Sequence, residues 1–334
     1  MSIKRKILGK PFADNALFAT VDSGQHQTYL LFDCGEGTCN ELPVGLLQKT
    51  GHLFFSHFHL DHIAGFDHFI RMNYNRTDQP VHIWGPESTT DIIYHRLNSF
   101  TWNLIGDVPS QWFIHEVTAQ KITTTELRAS EAFARKHFLE SKPFRPDILE
   151  TSDFIVSVLF LEHRLSVLGF KLQEKPRLNI SKTALLHNQL PQGPYLAKLK
   201  DPSVPDETIL EIEGKQYTAG SLRSLLLQAH SGRCLSYLTD FIFEEDRLTD
   251  WSAFLADCDE LVCESQYLNR DLDLAKQNFH LTTAQAARMA KQAGVKKLTL
   301  IHFSRRYQHE DVKIFLDEAR EGFPNTNLPE GWIR

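Results

Sequence analysis

Short apolar runs alternate with turns and polar clusters along the whole chain. Runs at residues 29–32, 53–55, 81–84, 154–161, 167–172, 235–238, 260–263 and 298–301 have the length and the β-branched or aromatic content of strands. Between them, Thr283–Ala293 is Ala-rich and predicts a helix, with Thr282 or Thr283 as N-cap and Gly294 as its stop. No internal repeat and no Gly/Ser/Pro-rich linker cuts the chain. Many strands with interspersed helices therefore predict one α+β domain over 1–334, an αββα sandwich of two mixed β-sheets flanked by helices.

One stretch breaks the rhythm. Across 171–200 the cations Lys171, Lys175, Arg177, Lys182, Lys198 and Lys200 face only Glu174, and Pro176, Pro191, Gly193 and Pro194 interrupt regular structure. This basic window predicts an arm over 174–221 that protrudes from the sandwich and meets phosphate. The whole chain of 334 residues carries a net charge of -6, which excludes a protein that coats nucleic acid by bulk charge. Five cysteines without a CxxC pair, and no run apolar enough for a leader or a membrane span, predict a reduced, cytoplasmic protein with no membrane partner.

The sequence has 16 histidines, and their placement matters more than their number. Directly after the apolar run 53–55 comes Ser56-His57-Phe58-His59-Leu60-Asp61-His62. A strand ending in H-x-H-x-D-H puts imidazoles and a carboxylate at the lip of a sheet, where they can converge on a metal. Four donors from so tight a segment suit two ions, and more donors must then come from other strand ends. His163, Asp240 and His302 each follow a predicted strand, and His280 precedes the Ala-rich helix.

With these residues in view, the chain resembles the metallo-β-lactamase superfamily and, within it, ribonuclease Z, the tRNA 3′-processing endonuclease. The resemblance rests on Phe32-Asp33-Cys34-Gly35-Glu36-Gly37-Thr38, the HxHxDH signature, and His163 through Gly169-Phe170. It also rests on the Gly193-Pro194 stretch, on His280-Leu281-Thr282, and on the ending His302-Phe303-Ser304-Arg305-Arg306-Tyr307. The resemblance implies two Zn²⁺ per subunit, with Mn²⁺ able to replace them at such ligands. His57, His59 and His163 would hold one ion. Asp61, His62 and His302 would hold the other, with Asp240 between them. A water activated by the ions would attack the phosphodiester, with Asp61 among the catalytic residues. His280, outside both ligand sets, would protonate the leaving ribose oxygen, and Glu264 would orient it. Asp33 and Glu36 would brace the turn behind the ligands.

The same resemblance implies a homodimer acting on precursor tRNA, one subunit's arm gripping RNA that is cut at the other's site. Gly193, Pro194, Lys198, Lys200, Arg305 and Tyr307 would contact this substrate, as would Asn15. Some positions depart from the family pattern: the segment Leu8 to Asn15, Leu60, Thr239, Phe241, Cys263 and Leu281. They are expected to line the mouth of the site. They motivate a second hypothesis, a metallo-phosphodiesterase acting on small cyclic nucleotides. A third, of another class, is a non-catalytic RNA-binding protein on the same fold.

Overall fold

The computed structural model describes residues 2–24 and 26–333. The first sheet takes eight strands in chain order: β1 (Ser2–Leu8), β2 (Ala16–Asp22), β3 (Gln27–Phe32), β4 (Thr50–Phe54), β5 (Val81–Gly85), β6 (Gln111–Val117), β7 (Lys121–Arg128) and β8 (His137–Pro143). From β3 to β6 neighbours run parallel, and the strands on either side of that block are antiparallel. Strands β9 (Asp147–Glu150), β10 (Phe154–Glu162) and β11 (Ser166–Glu174) open the second sheet. An insertion then carries β12 (Arg177–Ile180), β13 (Ile209–Ile212), β14 (Lys215–Thr218) and β15 (Leu227–His230). The second sheet resumes with β16 (Cys234–Leu238), β17 (Glu260–Glu264), β18 (Leu298–Ile301) and β19 (Thr326–Asn327), in the order β19-β18-β17-β16-β11-β10-β9.

Both sheets bury their facing sides in one apolar core. Phe32 and Phe54 of the first sheet pack on Phe170 of the second, with ring centroids 5.3 and 5.5 Å apart. Because β16 is central, all five of its residues are buried, as expected for a strand covered on both faces. On the outer side of the first sheet, helices Val44–Lys49, Phe66–Asn73 and Thr89–Leu97 bury Leu47, Phe66, Phe69, Ile93 and Leu97. Helices Leu248–Leu255, Thr283–Ala293 and Val312–Gly322 do the same for the second sheet through Trp251, Ala286, Ala287 and Phe315. The Thr283–Ala293 helix starts at a capping box between Thr282 and Gln285 and stops at Gly294, at φ 66°. Such a cap contributes about 1 kcal/mol.

The chain divides into two compact units, 1–173 with 233–334, and 174–232. The inserted unit thus closes at 232 rather than 221. Helix Ala219–Leu226 runs through position 221, and β15 returns to pair antiparallel with β12. This unit has a core of its own, in which Leu185, Tyr195, Leu199, Leu210, Leu222 and Leu226 meet. Arg223 is fixed inside it, donating to the carbonyls of Leu199, Asp201 and Val204 and pairing with Asp206. Lys198 and Lys200 stand exposed on helix Tyr195–Lys200, which Gly193 and Pro194 lead into. Among the described residues no helix is long and apolar enough to cross a membrane.

Candidate active site

Strand ends deliver the polar residues to one edge of the sandwich. His57 follows β4, and His59 caps helix Leu60–Ile63, which carries Asp61 and His62. From the second sheet come His163 after β10, Asp240 after β16, Glu264 at the end of β17 and His302 after β18. Three site residues hold left-handed backbone: Asp33 at φ 60°, Asp240 at φ 50° and His302 at φ 60°. Non-glycine residues in that region cost about 1–3 kcal/mol each and persist where the surroundings hold them. The helix of Asp61 and His62 can approach the Asp33 turn because residue 35 is glycine. A Cβ there would lie 2.4 Å from the Asp61 carbonyl oxygen.

Two donor groups form. One contains His57, His59, His163 and Asp240; the other contains Asp61, His62, Asp240 and His302; within each, the donor atoms lie within 4.8 Å of one another. Asp240 belongs to both. Its Oδ2 lies 3.6 Å from His57 Nε2 and 3.4 Å from His62 Nε2, yet neither buried nitrogen has a hydrogen-bond partner among the described residues. Buried polar atoms are nearly always hydrogen-bonded. Orphaned imidazole nitrogens gathered around a buried carboxylate therefore fit a divalent cation, and imidazole with carboxylate is a donor set for zinc and its neighbours.

The electrostatics agree with that fit. Burial drives the His57 imidazolium well below the usual range. Burial works against His62 too, yet Asp240 and Asp33 hold it well above the usual range. His302 is likewise pushed up to about 9 against its burial, by Asp240 and by its bond to Asp61. Asp61 and Asp240, despite burial, lie well below the carboxylate range because His302 and His62 face them. Around Asp240 and Asp61 the field is thus anionic, where cations are favoured.

A second ring of groups orients these donors. Asp33, fully buried, accepts from the Ser56 backbone and hydroxyl and lies 2.8 Å from His62 Nδ1. Ser56 Oγ also meets His57 Nδ1 at 3.1 Å. His163 Nδ1 lies 2.7 Å from the Phe279 carbonyl oxygen. These contacts fix each ring through one nitrogen and aim the other inward. Apart from the two donor groups, His280 Nδ1 lies 3.0 Å from Glu264 Oε2. Glu264, His280 and His302 could also be read as a third metal group. Glu264, however, already accepts from Phe241 N and Leu281 N, so its oxygens are committed to hydrogen bonds.

Several expectations are corrected. Tyr307 does not face the site: it is buried, donating its hydroxyl to Asp271 and accepting from Leu268 N. Asn15 is buried as well, and its Oδ1 accepts from His302 N, so it braces a loop rather than meeting substrate. Glu36 is exposed on a cleft wall instead of lying behind the ligands. Of the residues expected at the mouth, Phe12, Ala13, Asp14 and Leu60 line that cleft. Thr239, Phe241, Cys263 and Leu281 are fully buried and do not line it, Phe241 packing on Trp251. Arg305 is exposed and paired with Asp14. Sequence reasoning missed Ser56, Tyr237 and Gln266, whose Nε2 lies 3.3 Å from His302 Nδ1. Ser56 lies inside the histidine motif and Gln266 just past Glu264, but the role of Tyr237 depends on a partner on the other sheet.

Two stacked mixed sheets, helices on both outer faces and a His/Asp donor cluster at the sheet ends define the class: a metal-using hydrolase of the metallo-β-lactamase fold. The metallo-β-lactamase fold protein YhfI of Bacillus subtilis superposes with a TM-score of 0.57 at 16% identity, over 98% of this chain and 96% of that one. The short form of human tRNase Z gives 0.54 at 18% identity, over 100% and 98%. No family profile matches the chain. Individual relatives do. The chain is 40% identical over 328 residues to Ribonuclease Z of Deinococcus radiodurans, covering 98% of both proteins. It is 30% identical to Ribonuclease Z of Crocosphaera subtropica, over 91% of this chain and 86% of that relative. The chain belongs to the ribonuclease Z family.

Proposed function

We propose that the protein is an endoribonuclease that cuts precursor tRNA on the 3′ side of the acceptor stem, leaving a 3′-hydroxyl on the tRNA and a 5′-phosphate on the trailer. The observation that carries this reading is the buried His280–Glu264 pair beside two donor groups that share Asp240, in a chain of this family. His57, His59, His163 and Asp240 would hold one zinc ion, and Asp61, His62, Asp240 and His302 the other. When bound, such a pair supplies an activated water and neutralises charge on the phosphoryl oxygens.

The protein's own groups do the rest. Glu264 holds His280 through Nδ1, which leaves Nε2 to carry a proton to the departing ribose oxygen. Asp33 and Ser56 keep His57 and His62 from turning. Asp61 and His302, 3.3 Å apart, keep the mouth polar where phosphate must enter. The exposed Lys198 and Lys200 of the inserted unit, with Gly193 and Pro194 shaping the turn before them, are assigned to the tRNA backbone. A cytoplasmic homodimer is the working form. Purified protein should cut a labelled precursor tRNA and leave cyclic nucleotides intact. Hydrolysis of cyclic nucleotides without tRNA cleavage would replace this reading with that of a small-molecule phosphodiesterase.

A further inference from the structure

Beside Asp61 and His302 opens a cleft of about 610 Å³, whose lining includes Phe12, Leu60, Asp14 and Arg305. Leu60 is 77% exposed, so it offers an apolar surface there. The Arg305 side chain is 72% exposed, yet its Nη2 is held 2.8 Å from Oδ1 of Asp14. Asp14 is the unusual member of this pair, a carboxylate only 6% exposed. Its second oxygen, Oδ2, accepts from the backbone N–H of Glu36 at 2.8 Å.

The backbone around Asp14 is closely built. Gly9 has φ 94°, and a Cβ there would lie 2.1 Å from the Asp14 carbonyl oxygen, so only glycine permits the loop to fold back on itself. From this loop Asn15 Oδ1 receives His302 N at 2.9 Å, while Asp14 reaches three residues further to Arg305. The loop therefore grips the segment after β18 at two points, one under a donor of the second group and one under an exposed guanidinium. Both Asp14 oxygens are used in holding neighbours, which leaves Asp14 no direct part in binding an anion. Arg305 commits one Nη to Asp14, and its guanidinium makes no other hydrogen bond among the described residues. A long side chain left mobile on a surface loses part of its binding value in being ordered. The bond to Asp14 lowers that cost before substrate arrives.

We propose that Asp14 is a positioning residue that holds Arg305 at the mouth of the Asp61–His302 cleft, where the guanidinium receives the phosphate of the nucleotide next to the scissile bond. This rests on the reading of the protein as an endoribonuclease. Phe12 and Leu60 in the lining of the same cleft suit the base of that nucleotide, since every base offers an apolar face.

The test is steady-state cleavage of precursor tRNA by the full-length wild type, Asp14→Asn, Arg305→Gln and the double variant, with KM and kcat read separately and the salt dependence of tRNA binding measured. Each single variant should raise KM severalfold, with the loss in KM rather than kcat. Arg305→Gln should also reduce the salt slope of binding by about one. The double variant should match Arg305→Gln alone, because Asp14 acts through Arg305. Additive losses would overturn the proposal by showing that Asp14 acts elsewhere. An unchanged KM in Arg305→Gln, an exposed site where folding is not at risk, would overturn it too. If the wild type cuts no precursor tRNA, the endoribonuclease reading itself falls and this proposal falls with it.

Discussion

The hydroxyl of Tyr237, on β16 of the second sheet, donates to Oδ2 of Asp33, after β3 of the first, across 2.9 Å. The same carboxylate holds Ser56 and His62, so one buried acid joins both sheets beneath the metal donors. Burial, with Asp33 facing it, raises the Tyr237 phenol well above its usual range, which keeps it a donor at any physiological pH. Asp33→Asn keeps the shape but weakens this junction. It should lower metal affinity about 10–100-fold, the usual effect of losing an outer partner of a ligand. Competition with a chelator for bound metal measures it, and unchanged affinity would mean that Asp33 only packs.

His280→Ala should lower kcat on precursor tRNA by about 10²–10⁴-fold, the worth of a positioned general acid, with zinc content unchanged. The loss should be much smaller on bis(p-nitrophenyl) phosphate, whose leaving group departs without a proton. Equal losses on both substrates would mean that His280 serves the metals or the fold. Glu264→Gln should follow the same pattern more weakly, since an amide oxygen in the place of Oε2 still accepts from His280 Nδ1 and Leu281 N.

Removing 174–232 should weaken tRNA binding while sparing the small diester. The cut is structurally mild because Gln173 and Cys234 are already cross-strand partners on β11 and β16, so a short turn can join them. Binding of tRNA by filter retention, alongside hydrolysis of bis(p-nitrophenyl) phosphate, checks it. Parallel loss of both would remove the inserted unit from substrate recognition.

Away from the site, His52, His82 and His115 form a ladder across β4, β5 and β6, stacked at 4.8 and 5.3 Å with Trp84 against His115. Burial first, then neighbouring imidazole and Arg76, lowers His52 to about 3; burial and Arg76 lower His82 to about 4. His115 is well below the usual range from burial, the other two rings and Lys142. Unfolded histidine titrates near pH 6.5, so below about 6.5 the unfolded chain binds protons that the folded ladder refuses. This contribution to stability is complete above that pH and is lost as pH falls towards 4. Urea midpoints between pH 7.5 and 5 should therefore fall more steeply for wild type than for His82→Gln. Parallel curves would contradict the ladder's role.

Legibility followed locality. β18 and the Thr283–Ala293 helix were readable because an apolar run, a cap and a stop lie within a few residues of each other. β1 and β8 were not. β1 interrupts its buried Ile3, Ile7 and Leu8 with Lys4, Arg5 and Lys6, and β8 exposes nearly every side chain, so neither reads as an apolar run. The same division holds in the site. His57 through His62 share one segment, and His163, Asp240 and His302 each follow an apolar strand, so all could be found one at a time. Asp14 with Arg305 and Asp33 with Tyr237 are pairs of polar residues far apart in the chain, and nothing local in either partner announces the other. Tyr307 and Asn15 show the converse, since their burial is a property of the packing.

In the proposed reaction, the His280–Glu264 pair and the donor groups that share Asp240 together cut precursor tRNA by hydrolysis. The most direct test is cleavage of an end-labelled precursor tRNA with the cut site and both new ends mapped. One cut is expected on the 3′ side of the acceptor stem, giving a 3′-hydroxyl on the tRNA and a 5′-phosphate on the trailer, abolished by metal chelation. Cuts scattered along the RNA, a 2′,3′-cyclic phosphate end, or cleavage that survives chelation would contradict it.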